Sequence, residues 1–158
     1  MSVNADEFRA ILGRFAAGVT VFTSRDAAGG DHGMTVSAFC AVSLSPPLVL
    51  ACIALDADMY AVARDATHFG VSVLTDAQEA LSRRFADVPD NRFDGIGFVR
   101  GETGVVLLDD ALGHLECRRV AWHDAGDHAI CVGEVVRART GDGHPLLYYR
   151  GGYAQLDR

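Results

Sequence analysis

The chain has 158 residues, 49% of them hydrophobic, enough for one domain with a substantial core. Its formal net charge of −7 argues against a basic face for nucleic acid or for an anionic membrane surface. The opening MSVNADEF carries no basic stretch followed by an apolar one, so it does not read as a secretory leader, and the expected compartment is the cytoplasm.

Asn4-x-x-Glu7 has the form of a capping box, and Phe8, Ile11, Leu12 and Phe15 follow at helical spacing in a helix that Gly18 ends. Residues 19–24 read as a strand, 27–31 as a turn and 33–37 as the hairpin partner. Residues 33–53, GMTVSAFCAVSLSPPLVLACI, are the most informative stretch. Thr35, Ser37, Ser43 and Ser45 alternate with apolar residues, Pro46-Pro47 is a stop, and 48–55 is an apolar run. That run suits a buried strand and is far too short to span a membrane. The small residues fit either a solvated strand or an edge bare enough for a flat ligand.

Asp58 is placed to cap a short helix through Arg64, and 68–74 is a further strand. Thr75-x-x-Gln78 is a second capping box, opening a helix that ends near Phe85. Residues 89–104 read as a polar, glycine-rich surface loop. Its GIGFVRG is not a dinucleotide fingerprint, because the third glycine falls one residue late and no strand-then-helix flanks it. Residues 111–122 and 129–140 are long strands joined by a turn at 124–127, and 145–149 is the last clear strand. Six or seven mainly antiparallel strands with three short helices, and no linker, predict a single domain over 1–158 built as a barrel.

Conventional catalytic sets are missing from the sequence. There is no G-x-S-x-G elbow and no H-E-x-x-H pair, so no metal site is predicted. Cys40, Cys52, Cys117 and Cys131 lack C-x-x-C spacing and sit in apolar contexts, so they read as buried, reduced thiols. Asp127 and His128 are neighbours, and on a strand they would point to opposite faces as a poor acid–base pair. A chain of this kind suits chemistry in which a cofactor carries the reactive atom.

Five further segments complete the pattern: VSVLTDAQEALSRRFAD (71–87), DNRFDGIGF (90–98), HLEC (114–117), GDHAICVGEV (126–135) and PLLYYRGGYAQL (145–156). With GMTVSAF and SPPLVLACI, in this order and at this spacing, the chain resembles the flavin reductase family of FMN-binding split barrels. The resemblance implies a mainly β fold, a six- to seven-stranded antiparallel Greek-key split β-barrel. It implies NAD(P)H-dependent reduction of FMN or FAD, with NADH or NADPH as co-substrate, and delivery of reduced flavin to a partner monooxygenase. It also implies a homodimer.

Carried residue by residue, it places Ser37, Ala38, Phe39, Cys40 and Ser43 along the flavin, with Thr35 as a neighbour and Arg84 flanking it. His128 falls beside the nicotinamide, where an imidazole can bond a carboxamide or stack on a ring. Tyr149, Arg150 and Tyr153 fall near the dinucleotide. One departure stands out: Ala57 and Met59 occupy positions where the family commonly carries hydroxyls for the flavin phosphate, and Asp56 and Asp58 flank the spot. A carboxylate 5 Å from a phosphate costs about 3 kcal/mol per charge pair at an effective dielectric of 20. The departure keeps open a non-catalytic or accessory relative, and a flavin-bound oxidoreductase acting directly on an organic substrate.

Overall fold

The computed structural model describes residues 2–157. Helix α1 (Ala5–Leu12) starts at the expected capping box: Asn4 Oδ1 accepts from the Glu7 N–H at 2.9 Å, and Glu7 Oε2 accepts from the Asn4 N–H at 3.1 Å. It ends at Gly13 rather than Gly18, where the Gly13 N–H donates to the Arg9 carbonyl. Its apolar side chains do not enter the core. Phe8, Ile11 and Leu12 are exposed, as is Phe15 beyond the helix end.

The strands follow as β1 (Ala17–Gly18), β2 (Thr20–Arg25), β3 (Asp31–Val36), β4 (Phe39–Leu44) and β5 (Pro47–Ala54). Helix α2 (Met59–Asp65) and β6 (His68–Val73) come next, then a 3-10 turn (Asp76–Gln78) that runs into α3 (Glu79–Asp87). The chain finishes with β7 (Phe98–Arg100), β8 (Val106–Leu108), β9 (Gly113–Ala125), β10 (His128–Thr140), β11 (Leu146–Tyr149) and β12 (Gly152–Gln155). Seven of these strands form one antiparallel sheet in the order β3-β2-β6-β9-β10-β5-β4. Among the described residues no helix is long and apolar enough to cross a membrane.

The connection between the two outermost strands dictates the shape of this sheet. Strands β3 and β4 are joined by only Ser37 and Ala38. Laid flat, seven strands would hold their edges about 29 Å apart at 4.8 Å per spacing. Three Cα steps span at most about 11 Å. The sheet must therefore curl until its edges are neighbours. The edges do not pair with one another, so the barrel is closed by the chain and split between β3 and β4.

Alternation along the strands fills the barrel. Val49, Ala51 and Ile53 of β5, Ala129 and Cys131 of β10, and Phe22, Phe69, Val71 and Cys117 are all buried. Phe22 and Phe69 stack with centroids 4.6 Å apart. A Cβ at position 133 would lie 2.4 Å from the Phe69 ring, so Gly133 is the residue that lets this ring lie flat against β10. A second core lies outside the barrel. Val19, Val21, Leu74, Phe85, Val106, Leu108 and Leu146 pack together there, which buries both faces of β2.

Several sequence expectations change. Residues 39–44 are a strand that the pattern hid, because an outer strand paired only with β5 shows little alternation in burial. Pro47 opens β5 instead of stopping the chain, a position where the missing N–H is tolerated. The 89–104 loop contains β7, which pairs with β8. The C-terminal segment is a hairpin, with β12 following β11. Asp58 occupies the N-cap of α2 but has helical dihedrals and makes no capping bond.

Candidate functional site

A cleft of about 370 Å³ opens beside the split in the barrel. Thr35 and Ser37 come to it from the end of β3, Ser82, Arg83 and Asp87 from α3, and Tyr148 and Gly151 to Tyr153 from the C-terminal hairpin. A chain of hydrogen bonds fixes its wall. Thr35 Oγ1 donates to the Ser82 carbonyl at 2.6 Å, and the Ser82 and Tyr153 hydroxyls share a bond of 2.6 Å. The Tyr148 and Tyr153 rings meet edge to face at 5.6 Å. The Arg83 guanidinium lies over the Tyr153 ring, 4.7 Å from its centroid, and donates to Glu79 Oε1 at 3.0 and 2.7 Å.

Three of the predicted ligand-binding residues, Thr35, Ser37 and Tyr153, thus line one cleft. Ala38 and Cys40 are exposed and Ser43 half-buried along the adjoining strand, while Phe39 turns inward against the barrel core. Among the described residues β3 pairs only with β2, and β4 only with β5, so each has one edge that no strand covers. These two edges meet at Ser37-Ala38, where side chains are small. A flat, polar-edged ring fits this arrangement, with backbone donors along one side and tyrosines on the other.

Arg84 is not in that cleft. Its Nε donates to the Arg92 carbonyl at 2.7 Å, and its Nη2 to the carbonyls of Asn91 and Asp94 at 3.0 and 2.6 Å. It braces the loop after α3, and its neighbour Arg83 faces the cleft instead. The sequence did carry a signal for Arg83, the Glu79-x-x-x-Arg83 spacing that pairs charges on a helix.

The segment Ala57 to Met59 also differs from expectation. Met59 is 3% exposed and plugs the barrel core, with Ala57 packed against it, so Met59 is not free to meet a phosphate. Asp58 remains exposed and faces a separate cleft of about 480 Å³, shared with Asp31, His32, Arg92, Asp90 and Asp94. Arg92 is occupied there, donating to the Gly33 carbonyl at 2.7 Å and to the Val88 carbonyl. Asp31 is held by both nitrogens of Arg100 at 3.0 and 2.8 Å. Four carboxylates around arginines that already have partners make a poor anion site.

His128 begins β10 opposite Ala54 of β5, on the outer face of the barrel, and does not line the Thr35–Tyr153 cleft of its own chain. Its Nδ1 lies 2.7 Å from Asp127 Oδ1. The two side chains do meet, contrary to the alternation argument, because Asp127 belongs to the turn and not to the strand. Gly126, at φ 63°, bends the chain just before it. The bond to His128 holds the Asp127 carboxyl below the usual carboxylate range. Tyr149 and Arg150 are exposed at the tip of the C-terminal hairpin, with Arg150 at φ 52° and its guanidinium 5.3 Å from the Tyr149 centroid.

All four cysteines are free, but only two are buried as expected. Burial pushes the Cys117 and Cys131 thiols up to about 12. Cys52 is half-buried, and Cys40 is exposed on the outer strand β4.

The family described as flavin reductase like domain matches residues 12–157. The FMN reductase (NADH) SmoA of Agrobacterium fabrum is 43% identical over 155 residues, 98% of this chain and 88% of that one. The reductase component of the 4-nitrophenol 4-monooxygenase/4-nitrocatechol 2-monooxygenase of Rhodococcus opacus is 37% identical over 150 residues, 95% of this chain and 80% of that one. Among solved structures, the NADH:FAD oxidoreductase SgcE6 of Streptomyces globisporus, in complex with NAD and FAD fragments, superposes with a TM-score of 0.92. It is 36% identical, and the match covers 99% of this chain and 97% of that one.

Proposed function

The chain belongs to the flavin reductase family, and on that premise we propose that it is an NADH-dependent flavin reductase supplying reduced FMN or FAD to a partner monooxygenase. The observation that carries the reading is the meeting of two free sheet edges at Ser37-Ala38, beside a cleft walled by Tyr148 and Tyr153. A flavin held here would supply N5 as the hydride acceptor for nicotinamide, with a proton from solvent balancing the reduction. The protein's work is then placement and exclusion of water. Thr35 and Ser37 keep the backbone accessible, the Ser82–Tyr153 bond holds the wall in place, and Arg83 is the cation on the cleft. His128 is the residue for the nicotinamide, with Tyr149 and Arg150 for the rest of the dinucleotide.

In a single chain His128 and the cleft stand apart, and a second copy is the natural way to unite them. The outer strand carries Val42 and Leu44 at 50% and 92% exposure, and α1 leaves Phe8 and Ile11 bare with Phe15 just beyond. Burying such side chains is worth about 1.5–3 kcal/mol each. We take the working form to be a homodimer. Light scattering at micromolar concentration tests it, and a monodisperse monomer would count against it. The free thiols suit a reducing compartment, the cytoplasm.

The deciding experiment is NADH oxidation with FMN, FAD and riboflavin, each in excess. Turnover with at least one flavin is expected. The carboxylates around Asp58 favour a second reading, a barrel that has lost its flavin. No turnover and no flavin binding would put that reading first.

A further inference from the structure

Asp127 lies outside the Thr35–Tyr153 cleft, yet its placement is specific. Its carboxylate bonds His128 Nδ1 at 2.7 Å, and its own carbonyl accepts from the Leu55 N–H at 3.0 Å, which ties the turn to the end of β5. The nearby Asp124 points elsewhere, accepting from the Tyr60 hydroxyl and Trp122 Nε1 at 3.2 and 3.3 Å. An ionised carboxylate can only accept, so the nitrogen facing it carries the hydrogen. In a neutral imidazole Nε2 is then left with a lone pair.

We propose that Asp127 is a positioning residue that makes His128 Nε2 a hydrogen-bond acceptor, and that His128 thereby selects hydride donors bearing a primary carboxamide. The inference rests on the flavin reductase reading. A carboxamide offers N–H groups to a lone pair. A methyl ketone in its place offers only an acceptor, and it leaves the Nε2 lone pair without the hydrogen bond that the carboxamide supplies. Asp127 supplies no atom to the reaction and acts through the ring it orients, as carboxylates do behind histidines elsewhere.

The test compares kcat/KM for NADH and for reduced 3-acetylpyridine adenine dinucleotide at pH 8.5, with saturating flavin. Intrinsic differences between the two donors cancel when the NADH/analogue ratio is compared across variants. In Asp127→Ala the ratio should fall about tenfold, the scale of one hydrogen bond. His128→Ala should lower it equally, and the double variant no further. Asp127→Asn, whose amide oxygen can still accept from Nδ1–H, should keep most of the wild-type ratio. A ratio in Asp127→Ala within twofold of wild type would overturn the positioning role. An unchanged ratio in His128→Ala would overturn the reading of the carboxamide. A wild-type protein that oxidises neither donor with any flavin would defeat the flavin reductase reading, and this inference with it.

Discussion

The hydroxyls of Ser82 and Tyr153 lie 2.6 Å apart and join α3 to the C-terminal hairpin across 71 residues of chain. Ser82 is fully buried at the wall of the cleft, so losing this bond leaves its hydroxyl without its protein partner. Tyr153→Phe should destabilise the protein by about 1–3 kcal/mol, because it strands a buried hydroxyl. Adding Ser82→Ala should recover part of the loss. Urea unfolding of the two single variants and the double variant measures it, and strictly additive losses would refute the coupling.

The cleft around Asp58 gives a flavin phosphate little to hold. Riboflavin should therefore bind within about tenfold of FMN, below roughly 1.4 kcal/mol. Asp58→Asn should improve FMN relative to riboflavin without loss of stability, since Asp58 makes no capping bond. Restoring a hydroxyl by Met59→Thr should instead cost about 2–4 kcal/mol of stability, because Met59 fills the barrel core. Titration of flavin fluorescence, with thermal melts beside it, checks all three. FMN binding hundreds of times tighter than riboflavin would show a strong phosphate site, with Arg83 the first residue to test.

The cysteines should divide into three classes. Cys40 is exposed and should react first with a disulfide reagent at pH 8, with half-buried Cys52 slower. Cys117 and Cys131, pushed up to about 12 by burial, hold almost no thiolate at that pH and should react only on unfolding. Saturating FMN should slow Cys40 if the flavin lies along β4. Timed labelling followed by mass spectrometry reads each site, and early labelling of Cys117 would contradict the barrel packing.

Arg150 sits at φ 52°, with Gly151 at 75°, in the two-residue turn of the C-terminal hairpin. A left-handed arginine costs about 1–2 kcal/mol that glycine does not. Arg150→Gly should raise the melting temperature by several degrees. If Arg150 meets the dinucleotide, the same change should raise the KM for NADH several-fold. A gain in stability with unchanged KM would remove it from the site.

What the sequence disclosed follows from how local each feature is. The two capping motifs depend on near neighbours and appear where expected, whereas the 48–55 run, read as a fully buried strand, is buried only at Val49, Ala51 and Ile53, because β5 turns one face to the barrel core. Thr35 and Ser37, expected along the flavin, and Tyr153, expected near the dinucleotide, line one cleft. Other features turn on a single residue of phase. Arg83 and Arg84 are about 100° apart around a helix, so the choice between them needs the direction of α3. Asp127 meets His128 only because β10 starts one residue later than the aspartate. The exposed face of α1 and the strand β4 escape notice because nothing within one chain covers them.

The seam at Ser37-Ala38 has a cost as well as a use. Two unpaired strand edges that can receive a ligand can equally receive another polypeptide. Small polar residues at Thr35, Ser37 and Ser43 do little to block such pairing, and Leu44 beside them is fully exposed. A strand of another chain and a flat ligand would therefore compete for the same backbone, so whatever lies along this seam also limits what else can pair there.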